Sequence, residues 1–272
     1  METTIALFQG KQVRKTFQDK KWWFVIEDVI FVLTDSSDPK QYLTRMFSRD
    51  PELQKGWVQI VRTLPIETSG GAQKMRCSNT EGIFRIIQSI SSPKAEPFKR
   101  WLARVGYERV QEIEDPELAS KRARAIYKAK GYPDSWIEKR MRGIAIREQL
   151  TDEWSQRGAE TNRDYAILTA EISKATFDMT PSQYKKFKRL KHQNLRDHMD
   201  DLELILTMLG EATTTRITTD RNSRGFDPLR HDAKEGGEVA GIARKEVEVR
   251  TGKRVSTRKN FLPPGKGKLR LV

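Results

Sequence analysis

Side chains that could do chemistry are few in this chain, and most of them stand apart from a partner. A nucleophilic thiolate needs a base beside it, and Cys77, the single cysteine, falls at the end of an expected strand, where a buried structural thiol is the simpler reading. His192 and His198 are six residues apart in one expected helix, so they sit about 240° apart around its axis and cannot ligate a metal from one face. His231 stands alone. Asp134 and Glu138 have the spacing of nuclease carboxylates, but they lie together at a helix start rather than on sheet elements that could hold a metal between them. Asp197, Asp200, Asp201 and Glu203 form an acidic patch next to a basic run, read as charge balance on a long helix. Thr251-Gly252-Lys253 lacks the upstream glycine of a phosphate-cradling loop. No catalytic residue, no metal and no cofactor is expected.

Binding chemistry is better represented. Lys20 and Lys21 precede Trp22-Trp23, and Lys40, Arg45 and Arg49 lie off the apolar stripe of an expected helix; together they could contact phosphates. Alternation along the strand directs one of Trp22 and Trp23 inward. The stretch 182–196, SQYKKFKRLKHQNLR, has six bases and no acid, and it contributes Lys185, Lys186, Lys188 and Arg189. The C-terminal stretch adds Arg254, Arg258, Lys259, Lys266 and Lys268 without any apolar periodicity. Residues 119–147 form another basic run, with nine bases against Asp134 and Glu138. Same-sign runs attract polyanions, because each neutralised phosphate releases counterions.

The elements that would hold these side chains divide the chain. Up to residue 112 the sequence reads as strands and short helices. Ile5–Phe8, Gln12–Phe17 and Trp22–Ile26 are expected strands, followed by a helix over Glu27–Leu33 and a helix capped by Asp38-Pro39. Trp57–Leu64 and Lys74–Cys77 are expected to pair across Gly70-Gly71, and Ser92-Pro93 to open a helix through residue 113. After Asp115-Pro116 nearly everything is helical: 117–130, 134–157, a helix capped by Thr161/Asn162, one long helix from Thr180 to Gly210, and a last one over 236–250. Thr213–Asp220 has no clear assignment. The fold class is thus α+β, with domains at 1–113 and 116–250 and a basic, flexible tail at 251–272.

Particular stretches resemble a known family. Residues 5–112 are similar to the BRO N-terminal domain of baculovirus repeated-ORF proteins, phage antirepressors and related bacterial proteins. The likeness rests on IALFQGKQVR, WWFVIEDVIFVLTDSSDPKQYLTRM, NTEGIFRII and SPKAEPFKRWL. The remainder resembles the bacterial DNA-damage-inducible protein D family in DEWSQRGAETNRDYAILTAEISKATF, TPSQYKKFKRLKHQNLRDHMDDLELILTMLGEA and GGEVAGIARKEVEVRTGKRVST. This resemblance implies a DNA-binding N-terminal domain, a role in the DNA-damage (SOS) response, and a RecA-type recombinase filament on single-stranded DNA as a target. It brings no catalytic residues.

Composition agrees with a polyanionic partner. The 272 residues carry 51 Lys+Arg against 37 Asp+Glu, a net +14, with 36% hydrophobic and 32% charged residues. Residues 1–112 hold 18 bases and 13 acids, residues 113–233 hold 22 and 20, and the last 39 residues hold 11 and 4. Half of the net charge therefore falls in the C-terminal stretch. One cysteine rules out a disulfide scaffold, no run is long enough to span a membrane, and METTIALFQGKQVRK lacks a secretory apolar segment. A cytoplasmic, non-enzymatic DNA-binding protein is expected, free of the membrane and able to form homo-oligomers through its long amphipathic helices. An antirepressor-like factor whose basic surfaces meet an acidic protein is the alternative, and a metal-dependent nuclease stands behind both.

Overall fold

The computed structural model describes residues 13–19, 21–68, 70–191 and 193–262. It consists of two compact units that divide between residues 119 and 120.

The first unit begins with a hairpin, β1 (Lys15–Gln18) and β2 (Lys21–Val25), in which Thr16 faces Trp23. Asp19 turns the chain in the left-handed region (φ 53°). Helices α1 (Ile26–Thr34), α2 (Pro39–Arg49) and α3 (Pro51–Ile60) follow, then the strands β3 (Val61–Thr68) and β4 (Gly71–Asn79), and the helices α4 (Thr80–Gln88) and α5 (Glu96–Glu114). The four strands form one antiparallel sheet in the order β1-β2-β4-β3. Alternation along β2 divides the unit's apolar groups. Phe24 joins Ile30, Leu43, Met46, Ile86 and Phe98 in the main core, while Trp23 and Val25 pack with Leu64, Ile66 and Cys77. Trp22 is half-buried against the main core, beside the Phe17 ring at 5.1 Å.

Caps fix where these helices start. The Asp38 side chain accepts from the Lys40 and Gln41 N–H groups, with Pro39 in the first helical position. Asp50 repeats the device: it ends α2 and accepts from the Leu53 N–H to start α3. That second cap explains a departure from the sequence reading. The strand expected from Trp57 begins only at Val61, because α3 continues through Ile60 and places Trp57 edge-on to Phe47 at 4.8 Å. Of the first strands expected, Ile5–Phe8 lies outside the described residues, and β1 starts at Lys15.

The second unit is helical: α6 (Glu117–Ala129), which straddles the division, α7 (Asp134–Gln156), α8 (Asn162–Phe177), α9 (Pro181–Phe187), α10 (Asp201–Arg221) and α11 (Phe226–Thr251). Trp136 stacks on Tyr132 at 4.0 Å in a cluster with Phe177, Tyr184, Leu204 and Leu206. A second cluster surrounds Trp154, Leu168, Ile172 and Leu229. Gly236 and Gly237 let α11 approach its neighbours closely. A Cβ on Gly237 would lie 2.6 Å from the Ile172 carbonyl oxygen of α8, and one on Gly236 would lie 2.6 Å from the Thr214 nitrogen of α10.

Three further expectations give way here, and one unassigned stretch finds its place. The single helix from Thr180 to Gly210 is broken: α9 ends at Phe187, Arg189 takes a left-handed φ of 58°, and a short turn at Leu195–His198 leads to α10. The break buries Leu190, Leu195 and Met199, which a continuous helix would have spread around its surface. The threonine-rich stretch 213–220 lies inside α10, with Thr214, Thr215 and Thr219 donating to carbonyls four residues back. Helix α11 begins at Phe226, ten residues before the expected Gly236. The first part of the basic tail is also folded. Val255 is buried and its N–H donates to Glu248, while Phe261 stacks on Trp136 at 5.5 Å and its N–H donates to the His198 carbonyl. Among the described residues no helix is long and apolar enough to cross a membrane.

Candidate nucleic-acid interface

Ion pairing sorts the basic side chains into those that hold the fold and those that remain available. In the first unit the pairs that join separate elements include Arg14–Asp28, Arg62–Asp19, Arg76–Glu27 and Arg85–Asp50, each within 3.0 Å. None of the described pairs involves Lys21, Lys40, Arg45 or Arg49, and all four are exposed. Arg45 and Arg49 share one face of α2 with Tyr42 and Ser48, where these four side chains line a shallow depression of about 420 Å³. The Arg49 guanidinium lies over the Tyr42 ring, 5.7 Å from its centre. Lys40 is on another side of α2, five residues from Arg45 and hence about 140° around the helix. Lys21 stands at the start of β2, and Lys20 lies outside the described residues.

The run at 119–147 is largely neutralised. Arg124 pairs with Glu138, Lys128 with Asp134 at 3.2 Å, Lys139 with Asp201 at 2.9 Å, and Arg140 with Asp197 at 3.0 Å. Arg147 is bound to Glu211, and burial is the main cause that lowers its pKa. A same-sign stretch in sequence is thus a set of cross-links in space.

The α9 run behaves differently. Lys185, Lys186 and Arg189 make no described ion pair, and the latter two are exposed. Lys188 is the exception and corrects the sequence reading: it is fully buried, 2.9 Å from Glu203, and donates to the Lys259 carbonyl at 2.9 Å. A side chain sealed in this way cannot reach a phosphate. Its bond to Lys259, the Asn260 amide donating to the Lys188 carbonyl, and the Arg258 guanidinium 5.7 Å from the Phe187 ring centre lay the tail against α9. Two runs some seventy residues apart are thereby packed together, and Lys186 and Arg189 of the first and Arg258 and Lys259 of the second are exposed. Arg254 is exposed on the same segment. Lys266 and Lys268 lie outside the described residues.

A comparison with protein families identifies the first unit. Residues 12–111 match the BRO family, N-terminal domain. The match begins just before β1 and ends within α5, so the Arg45–Arg49 face belongs to the BRO-type unit and the α9–tail surface does not. No curated protein matches the chain.

Around the BRO-type unit's sheet the reactive candidate is inert. Cys77 is buried on β4, and burial pushes its thiol up to about 11. In the helical unit the acidic patch is structural. Asp200 caps α10 in a reciprocal box with Glu203, Asp197 accepts from Arg140, and Asp201 from Lys139. Asp197 lies in the turn before α10, Asp200 at its cap and Asp201 and Glu203 in its first turn, not along the single long helix expected from sequence. His198 is buried, and burial depresses its pKa; His192 lies outside the described residues. Among the described residues no three His, Cys, Asp or Glu side chains form a group that could hold a metal ion. Sequence reasoning missed Tyr42, although its spacing of three and seven from Arg45 and Arg49 was visible, and it missed Phe187 as the platform for Arg258.

Proposed function

We propose that this protein binds DNA through phosphate contacts, without catalysing a reaction on it, and acts in the response to DNA damage on DNA or on a recombinase–DNA filament. The observation that carries the reading is the sorting of cations. The bases of the 119–147 run largely pair across helices, whereas Arg45 and Arg49 on α2 and Lys186, Arg189, Arg258 and Lys259 on α9 and the tail are exposed and make no described ion pair. Unpaired, exposed guanidinium and ammonium groups beside aromatic rings suit a backbone that offers both phosphates and stackable bases. The match to the BRO N-terminal domain supports the DNA reading for the first unit. The damage-response role rests on the resemblance of the second half alone.

The test is the affinity of the full chain for single- and double-stranded DNA across a salt series, with and without a recombinase filament. Affinity is expected to fall steeply with salt, as counterion release requires. Salt-independent binding, or none to either form, sinks the proposal. The antirepressor-like reading draws on the same family match; tight binding to an acidic protein with nucleic acid removed, together with no DNA binding, would favour it.

A further inference from the structure

Helices α8, α9 and α10, with the loop between α9 and α10, line a half-open cavity of about 460 Å³ in the helical unit. That size lies within the range of about 300–1,000 Å³ typical of small-ligand sites. Ile172, Phe177, Leu195 and Met199 form its apolar wall. The polar groups divide by which of their hydrogen-bonding valences are already used. Ser173 donates to the Met179 carbonyl (2.8 Å) and Thr207 to the Glu203 carbonyl (2.8 Å), so these hydroxyls offer a ligand lone pairs. Gln193 and Asn194 are the reverse. Their side-chain carbonyls accept from the Lys191 and Arg196 N–H groups (2.8 and 3.0 Å), which leaves amide N–H groups to donate. Lys185 lines the same cavity and makes no described ion pair.

Glu211 is the group that asks for an occupant. It lines the cavity and is 2% exposed, with Oε1 accepting from Arg147 (3.4 Å) and from Arg196. Its Oε2 is buried and has no partner among the described residues. A buried carboxylate oxygen without a donor is costly unless something supplies one.

We propose that the cavity binds a nucleotide whose base carries an exocyclic amino group. The amino N–H donates to Glu211 Oε2, the ring lies against Phe177, and the phosphate meets Lys185 and the amides of Gln193 and Asn194. Thymine fits poorly, because its ring N–H is flanked by two carbonyl oxygens that would face the carboxylate. The nucleotide can be free or part of a strand; the recognition chemistry is the same. This goes beyond the DNA reading and does not depend on it, since a free nucleotide suffices.

The test is a methyl-labelled NMR titration of the full chain, following Ile172 and Met199, both buried in the cavity wall. Deoxyadenosine monophosphate is expected to shift both methyls, and thymidine monophosphate to bind about tenfold more weakly or worse. Glu211→Gln should weaken the adenine nucleotide by about tenfold. Should that variant fail to fold, Lys185→Ala is the second: it should weaken the nucleotide but not the nucleoside deoxyadenosine. Shifts from an adenine oligonucleotide but not the mononucleotide assign the site to a strand; shifts from the mononucleotide assign it to the free form. The proposal is overturned if no nucleotide or oligonucleotide moves either methyl, or if adenine and thymine nucleotides bind alike and neither variant matters. Loss of all DNA binding with adenine nucleotide binding retained would sink the DNA reading alone.

Discussion

At the scale of single residues, sequence position and charge sign say less than partner and burial. Lys186 and Lys188 are two apart in one basic run, yet one is exposed and the other is sealed against Glu203 and Tyr184. Lys188→Met should cost about 3–5 kcal/mol, because it strands the Glu203 carboxylate in the interior. Lys186→Met should stay within about 0.5 kcal/mol in a denaturant titration and lower DNA affinity instead. Equal stability losses would show that the two lysines are not different in kind. Asp50 offers a second test. The Ser89 hydroxyl, the Leu53 N–H and the Arg85 guanidinium hold its carboxyl at about 2, below its ordinary value of 3.8. A depressed carboxylate contributes stability that is complete above its unfolded pKa and is lost as pH falls toward the folded one. The Asp50 contribution should therefore be present above about pH 4 and disappear between about pH 4 and 2. Asp50→Ala should lower stability at pH 7 by about 2 kcal/mol and flatten that acid limb of the melting profile. None of this pairing was legible in sequence, since Asp50 meets Arg85 and Ser89 across 35 and 39 residues.

At the scale of elements, local chemistry was readable wherever the signal was itself local. Asp38-Pro39 and Thr161 start helices as their residue types require, and Gly70-Gly71 turns β3 into β4. The reading failed where tertiary burial overrode a continuous pattern. Between Pro181 and Gly210 there is no proline or glycine to end the helix, yet the chain leaves it at Lys188 to bury that side chain and Leu190. The GGEVAG segment shows the converse: expected only as the start of a last helix, its paired glycines have a tertiary reason in the approach of α11 to α8 and α10. Gly237→Ala should therefore destabilise the fold by about 2 kcal/mol or more through overpacking against the Ile172 carbonyl, despite alanine's better helix propensity. Gly106→Ala in α5, where a Cβ meets nothing within 4 Å, should instead gain up to about 1 kcal/mol. Denaturant midpoints of the two variants moving in the same direction would refute the close-approach account.

At the scale of the whole molecule, the net +14 argues for a polyanionic partner but is a poor map of where one would bind. Half of it falls in the last 39 residues, and these are not a uniform arm: Val255 and Phe261 belong to the helical unit's core, whereas Arg254, Arg258 and Lys259 are exposed around them. Deleting residues 251–272 would remove charge and core together, so a loss of DNA binding after that deletion could not be assigned to charge. Charge reversal separates the two effects. Arg45→Glu/Arg49→Glu tests the BRO-type unit, and Arg254→Glu/Arg258→Glu/Lys259→Glu tests the tail surface, with melting curves expected to stay near the parent because none of the five makes a described ion pair. Each phosphate that a variant no longer neutralises should reduce the slope of log affinity against log salt by about 0.9 on duplex DNA or about 0.7 on a single strand. If both units hold the same nucleic acid, each variant should flatten the slope and their combination should flatten it by both amounts. If only one unit binds, one variant should do nothing. Slopes unchanged in both would mean that unpaired charge on these surfaces serves something other than DNA.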